Sequence, residues 1–223
     1  MPSSKNRPEP PSPQGKPSPM DPEILERIHR GILMRTGAYL TNDHFVLPSG
    51  RHVGEFVEKS LATTEPAFTE GLGEVLAEQF ANQPVDIVLT TGYGASILGH
   101  CVARAHPSRP RFLYALKRKN AKGRNEVTLP REFRQFFSGG ARVLLIEDIL
   151  TTGETVRRLI DIVRSLGGTV VGIGSLWRRT GKLQLSYPVV TLVIRDLPSY
   201  LPEECPMCKR GMPVNSDIIV GRG

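Results

Sequence analysis

Several short runs of this chain are apolar on both faces, and they are separated by helices that are apolar on only one. VDIVLTT (85–91), RFLYALK (111–117), ARVLLIED (141–148), TVVGIGSLW (169–177) and PVVTLVIRD (188–196) each have the length of a strand. SILGHCVARA (96–105) places Ile97, Leu98, Cys101, Val102 and Ala105 on one helical stripe. ETVRRLIDIVRSLGG (154–168) places Val156, Leu159, Ile160, Val163 and Leu166 on another, and Gly167–Gly168 stops it. A strand apolar on both faces must be covered on both. The alternation therefore predicts an α/β fold with a doubly wound parallel sheet between helical layers. Ligands of such sheets bind beyond the carboxyl ends of the strands, where the loops gather.

At 223 residues the chain has room for one ordinary domain with appendages. The first nineteen residues are rich in Pro and Ser, and their only large apolar residue is Met1. They cannot bury enough surface to offset their ordering entropy, so 1–19 is read as a disordered tail and 20–223 as the domain. Order is expected to begin at DPEILERIHRGIL, where Asp21 suits an N-cap, Pro22 suits the first helical position, and Ile24, Leu25, Ile28 and Ile32 share a face. The net charge of +7 suits anionic partners, phosphorylated small molecules as well as nucleic acid. No nucleic-acid-binding motif accompanies it, so nucleic acid is not expected as the main ligand. No apolar run is long enough to span a membrane. Three cysteines and no signal-peptide pattern point to a reducing cytoplasm.

The chemistry concentrates in VLLIEDILTTGET, residues 143–155. An apolar strand runs into two adjacent carboxylates, Glu147 and Asp148, and then into a hydroxyl-rich turn that opens a helix. Like charges at this spacing repel, and burying either one alone costs several kcal/mol, so the pair calls for a cation, a ligand rich in hydroxyls, or both. Amides at the helix start, with the hydroxyls of Thr151, Thr152 and Thr155, form an anion cradle suited to a phosphate monoester. Carboxylates accept hydrogen bonds from vicinal hydroxyls and hold metals directly or through water. A phosphorylated ribose meets each of these demands.

This segment resembles the ribose-phosphate signature of the type I phosphoribosyltransferases: apolar strand, acidic pair, two variable residues, Thr-Thr-Gly and a further Thr. The resemblance runs from about residue 20 to the C-terminus and is closest to the orotate-using branch of that family. It rests also on HFVLPSGRH (44–52), LKRKNAKGRNE (116–126), SLWRRTG (175–181) and EECPMCKRGMPV (203–214). It implies a Rossmann-like sheet with an N-terminal hood over about residues 20–60. The implied reaction is Mg²⁺-dependent transfer from phosphoribosyl pyrophosphate to a nucleobase, with orotate expected and a purine as the alternative. A ligand-sensing regulator that kept the fold is the alternative from outside the enzymes.

By the same resemblance, Glu147 and Asp148 hold the ribose hydroxyls and the metal, mostly through substrate or water, and Thr151, Thr152, Gly153, Glu154 and Thr155 hold the 5-phosphate. Arg118, Lys119 and Lys122 belong to a basic loop that closes over pyrophosphate, usually in the partner subunit of a homodimer. Lys119 and Lys122 join the acidic pair as the catalytic candidates. Arg179 matches the residue that holds the base, with Arg178 one position away. His52 falls near the base and the diphosphate, and Tyr93 and Gly94 keep part of a diphosphate loop. Independently of the family, cations that close late would stabilise departing pyrophosphate more than bound substrate.

Two departures stand out. Thr90-Thr91 replaces the family's Gly-Pro ahead of the diphosphate loop, and Val53-Gly54-Glu55 replaces the residues that usually follow the basic pair. Cys205-Pro-Met-Cys208 has the spacing of half a zinc site, but a four-cysteine site cannot form within one chain. It is read as a structural turn, since a metal would need ligands from elsewhere.

Overall fold

The computed structural model describes residues 21–47, 49–58, 61–119, 125–178, 183–194 and 197–217. The expected disordered tail, Lys122 and Arg179 lie outside the described residues. The N-terminal part comprises α1 (Pro22–Arg35), β1 (Tyr39–Leu40), β2 (Phe45–Val46), β3 (His52–Val53), β4 (Phe56–Val57) and α2 (Pro66–Gln79). The sheet layer follows with β5 (Ile87–Thr91), α3 (Tyr93–Ala105), β6 (Arg111–Lys119), β7 (Asn125–Thr128), β8 (Arg142–Leu150), α4 (Glu154–Ser165), β9 (Thr169–Arg178) and β10 (Val189–Ile194). The chain continues into β11 (Ser199–Tyr200) and the short α5 (Pro206–Lys209).

The main sheet has the order β10-β9-β8-β5-β6-β7. Its strands are parallel except for β7, which pairs antiparallel with β6 at the edge. The run Val143–Ile146 shows why both faces had to be apolar. Leu144 and Ile146 pack with Leu72 and Leu76 of α2 and Leu98 and Val102 of α3. Val143 and Leu145 pack on the opposite face with Val156, Leu159 and Val163 of α4. All four strand residues are fully buried, and each such side chain contributes about 1.5–3 kcal/mol from apolar burial. The parallel sheet and its helices are those the alternation predicts.

The start of α1 also follows the sequence: Asp21 accepts a hydrogen bond from the Glu23 amide at 2.8 Å, and Pro22 opens the helix. Ile28 and Ile32 are buried, joining Trp177 in the core, whereas Ile24 is exposed. In α3 the face differs from the expected stripe. Ala95, Leu98, Gly99 and Val102 are buried, while Ile97 is 45 % exposed. The helix is turned toward its small residues because neighbours come very close there. A Cβ on Gly99 would lie 2.3 Å from Thr90 Cγ2, and one on Gly73 of α2 would lie 2.4 Å from Cys101 Cβ.

The N-terminal part carries two small sheets besides its helices. β1 pairs with β4, and β11 from the C-terminal part joins β3 and β2 in a three-stranded sheet. The basic segment also differs from a free loop. Arg118 and Lys119 are strand residues paired with Glu126 and Asn125 of β7, because β6 extends beyond its apolar stretch into a hairpin.

Candidate active site

Most of the predicted residues that are described lie at or just beyond the carboxyl ends of β5, β6, β8 and β9. Glu147 and Asp148 lie on β8 with 4 % and 6 % of their surfaces exposed. The Asp148 amide donates to Glu147 Oε1 at 3.3 Å, and the Ile149 amide donates to Asp148 Oδ1 at 2.7 Å. Glu147 Oε2 is buried with no hydrogen-bond partner among the described residues. Burial first, and the charge of Asp148 second, push the Glu147 carboxyl up to about 8, while the Lys117 ammonium opposes the rise. Burying these two acids side by side is therefore electrostatically costly.

Immediately downstream, Gly153 takes a left-handed conformation (φ 74°) and caps α4. Its positive φ is the reason for glycine; a Cβ there would also meet the end of the Leu183 side chain, 2.9 Å from Cδ1, which can move aside. Thr151, Thr152 and Glu154 are exposed, and Thr155 is half-buried. The Thr152 hydroxyl accepts from the Glu154 amide at 3.4 Å, and Arg157 Nη1 donates to the Thr152 carbonyl at 2.8 Å. The turn is braced from behind, and α4 directs its amino end toward this loop.

A second helix start meets the acidic pair. Gly92 (φ 86°) caps α3, and Tyr93 is 93 % exposed. Gly94 lies so close to β8 that a Cβ on it would be 2.8 Å from Asp148 Oδ2. Gly94 and Asp148 are therefore brought together, with the exposed Tyr93 next to Gly94 in the chain. The Thr90-Thr91 departure is absorbed inside the fold: Thr90 Oγ1 lies 3.1 Å from Ser96 Oγ, and Thr91 Oγ1 donates to the Ala115 carbonyl at 2.9 Å. The Glu55 of the second departure is held by the Tyr39 hydroxyl.

Arg118 and Lys119 are exposed on β6. Arg178 ends β9, and its Nε is buried with no hydrogen-bond partner among the described residues. His52 is held elsewhere: its Nδ1 lies 2.7 Å from His44 Nε2 and 3.3 Å from Cys208 Sγ. Lys117 is the residue that sequence reading passed over. It ends an apolar run at the same sheet edge as two acids, but only strand order shows that its charge acts on Glu147.

Residues 65–196 match the phosphoribosyl transferase domain. The chain belongs to the phosphoribosyltransferase family. It is 38 % identical over 183 residues to an orotate phosphoribosyltransferase of Pelotomaculum thermopropionicum, covering 82 % of this chain and 91 % of that one. With the orotate phosphoribosyltransferase of Thermotoga maritima it shares 36 % over 183 residues, 82 % of this chain and 92 % of the other. Among solved structures, adenine phosphoribosyltransferase from Rhodothermus marinus has a TM-score of 0.59 at 23 % identity, covering 78 % of this chain and all of that one. Orotate phosphoribosyltransferase from Aeropyrum pernix has a TM-score of 0.56 at 20 % identity, covering 73 % of this chain and 91 % of that one. Both structures have the fold of this phosphoribosyltransferase, so the fold alone does not select the base. Among the described residues, no helix is long and apolar enough to cross a membrane.

Proposed function

We propose that this phosphoribosyltransferase uses orotate as its base. The anomeric bond to pyrophosphate breaks, and its electron pair leaves with pyrophosphate. A carbon–nitrogen bond forms to a ring nitrogen of orotate, which gives up its proton to solvent. The observation that carries the reading is the buried Glu147–Asp148 pair, with an unpartnered carboxylate oxygen, just ahead of α4 in the chain, in a protein whose sequence relatives bear the orotate name.

In this reading Glu147 and Asp148 accept hydrogen bonds from the ribose hydroxyls and ease positive charge at the anomeric carbon. The 151–155 loop holds the 5-phosphate. Tyr93 and Gly94 border the diphosphate, and Arg118, Lys119 and Lys122 neutralise it as it departs. Arg179, or Arg178 with its unpartnered Nε, pairs with the orotate carboxylate. Mg²⁺ would neutralise diphosphate charge when bound, and the buried, unpartnered Glu147 oxygen fits a role for the acidic pair in holding it through substrate or water. We place the reaction in a homodimer, with the basic segment serving the neighbouring site, and in the cytoplasm.

The test is a panel of bases mixed with phosphoribosyl pyrophosphate and Mg²⁺, read by pyrophosphate release. Orotate should be fastest, with uracil, adenine and hypoxanthine at least about tenfold slower for want of the charge-assisted contact. A purine turned over as fast would overturn orotate but keep the reaction class. Tight ligand binding with no turnover would favour a regulator.

A further inference from the structure

Folding brings a second pair of ligands to the Cys-Pro-Met-Cys turn. His44, His52, Cys205 and Cys208 each offer one metal-ligating atom, and the four atoms lie within 4.8 Å of one another. Cys205 Sγ and Cys208 Sγ are each 3.7 Å from His44 Nε2, and Cys208 Sγ is 3.3 Å from His52 Nδ1. The two histidine nitrogens are 2.7 Å apart. We propose that these four side chains form a structural zinc site that clamps the C-terminal segment to the N-terminal hood.

The distances suit a single tetrahedral ion. Bonds of about 2.3 Å to sulfur and about 2.0 Å to nitrogen put ligand atoms about 3.3–3.8 Å apart. Of the six separations, three of 3.3–3.7 Å already approach that range, the histidine pair at 2.7 Å has to open by about half an ångström, and the widest, within 4.8 Å, has to close by about one. A mixed set of two thiolates and two imidazoles favours zinc over the hard cations that serve phosphates. All four ligand atoms lie within 4.8 Å of one another, too close for a pair of histidines and a pair of cysteines on opposite irons of a two-iron cluster. Four protein ligands leave no open position, so the site is structural rather than catalytic.

The surroundings hold the ligands in place. His44 Nδ1 lies 2.8 Å from the Met212 carbonyl, which can only accept, so Nδ1 carries the hydrogen and Nε2 presents its lone pair inward. The Cys208 amide donates to Cys205 Sγ at 3.4 Å, an arrangement that favours thiolate. His52 sits on β3, paired with Tyr200 of β11 on one side and Val46 of β2 on the other. Arg51 Nε donates to Ser199 Oγ at 2.9 Å, and the Asn215 amide donates to the His44 carbonyl at 2.8 Å. Binding would release the two thiol protons to solvent and move the His52 ring hydrogen to Nε2. The clamp joins residues 156 positions apart, so it would fasten the hood independently of which base the enzyme uses.

Metal analysis of full-length protein, purified under reducing conditions without a metal-affinity tag, tests this. About one zinc per chain is expected in the wild type. Cys208→Ser should hold about a tenth of that or less, with Mg²⁺-dependent turnover read separately. Cobalt exchanged into the wild type should give the visible absorption of a tetrahedral thiolate site, absent in Cys208→Ser. If that variant does not fold, titrating wild type with a thiol-blocking mercurial decides: release of zinc in step with two thiols supports the site. Folded wild type without zinc and without a cobalt spectrum would overturn the proposal. A Cys205–Cys208 disulfide in the reduced preparation would overturn it equally.

Discussion

Replacing Glu147 with glutamine should stabilise the free protein while impairing it as a catalyst. An ordinary glutamate titrates at 4.5, and this one is pushed to about 8, chiefly by burial. The sign follows from proton uptake. Below 4.5 both the folded and the unfolded chain carry the proton, and Glu147 costs nothing. Between 4.5 and about 8 the unfolded chain gives it up while the folded chain keeps it. Stability is therefore lost at about 1.4 kcal/mol per pH unit across that window, reaching roughly 4 kcal/mol at its upper end. Glutamine has nearly the same shape and no charge to bury. Glu147→Gln should therefore match wild type within about 1 kcal/mol near pH 5 and exceed it by about 2–4 kcal/mol at pH 8. For a chain of this length that is a rise of about 5–15 °C in Tm.

Urea unfolding followed by circular dichroism at pH 5, 6, 7 and 8 would measure the difference between the two curves, in which the other titrating groups cancel. Phosphoribosyl pyrophosphate with Mg²⁺ should narrow the gap at pH 8, because ligand contacts offset the cost in wild type alone. Parallel pH profiles for the two proteins, or a variant less stable at pH 8, would refute the account of a strained carboxylate.

Asp148→Asn should leave the fold intact and lower kcat about a hundredfold or more, read by pyrophosphate release; near-normal turnover would make the acidic pair incidental. Gly94→Ala forces a methyl to within 2.8 Å of Asp148 Oδ2 and should lower kcat/KM at least about tenfold with little change in Tm, whereas wild-type kinetics would show that Asp148 tolerates displacement. Lys119→Ala should lower kcat far more than it weakens phosphoribosyl pyrophosphate binding, since its charge matters as pyrophosphate leaves. Mixing Lys119→Ala with Asp148→Asn subunits should restore activity if the basic segment serves the neighbouring site; proven exchange without restored activity, or a monomer at assay concentration, would exclude that arrangement.

What the sequence by itself determined was whatever depends on neighbours along the chain. The run Val143–Ile146 had to be covered on both faces, Asp21-Pro22 had to start a helix, and Thr151-Thr152-Gly153 had to turn into one. The acidic pair was legible for the same reason, since its strand, carboxylates and phosphate turn are consecutive. Tertiary structure decided what depends on approach between distant segments. Periodicity placed Ile97 on the buried stripe of α3, because hydrophobicity undervalues glycine. The closest packing instead occurs where Gly73 and Gly99 let Cys101 and Thr90 come near. Lys117 comes within electrostatic reach of Glu147 only because β6 and β8 both run parallel beside β5, so that their carboxyl ends share one end of the sheet. Cys205 and Cys208 looked like half a site because no histidine stands near them in sequence. His44 and His52 reach them only because β11 pairs with β3 and returns the C-terminal segment to the hood.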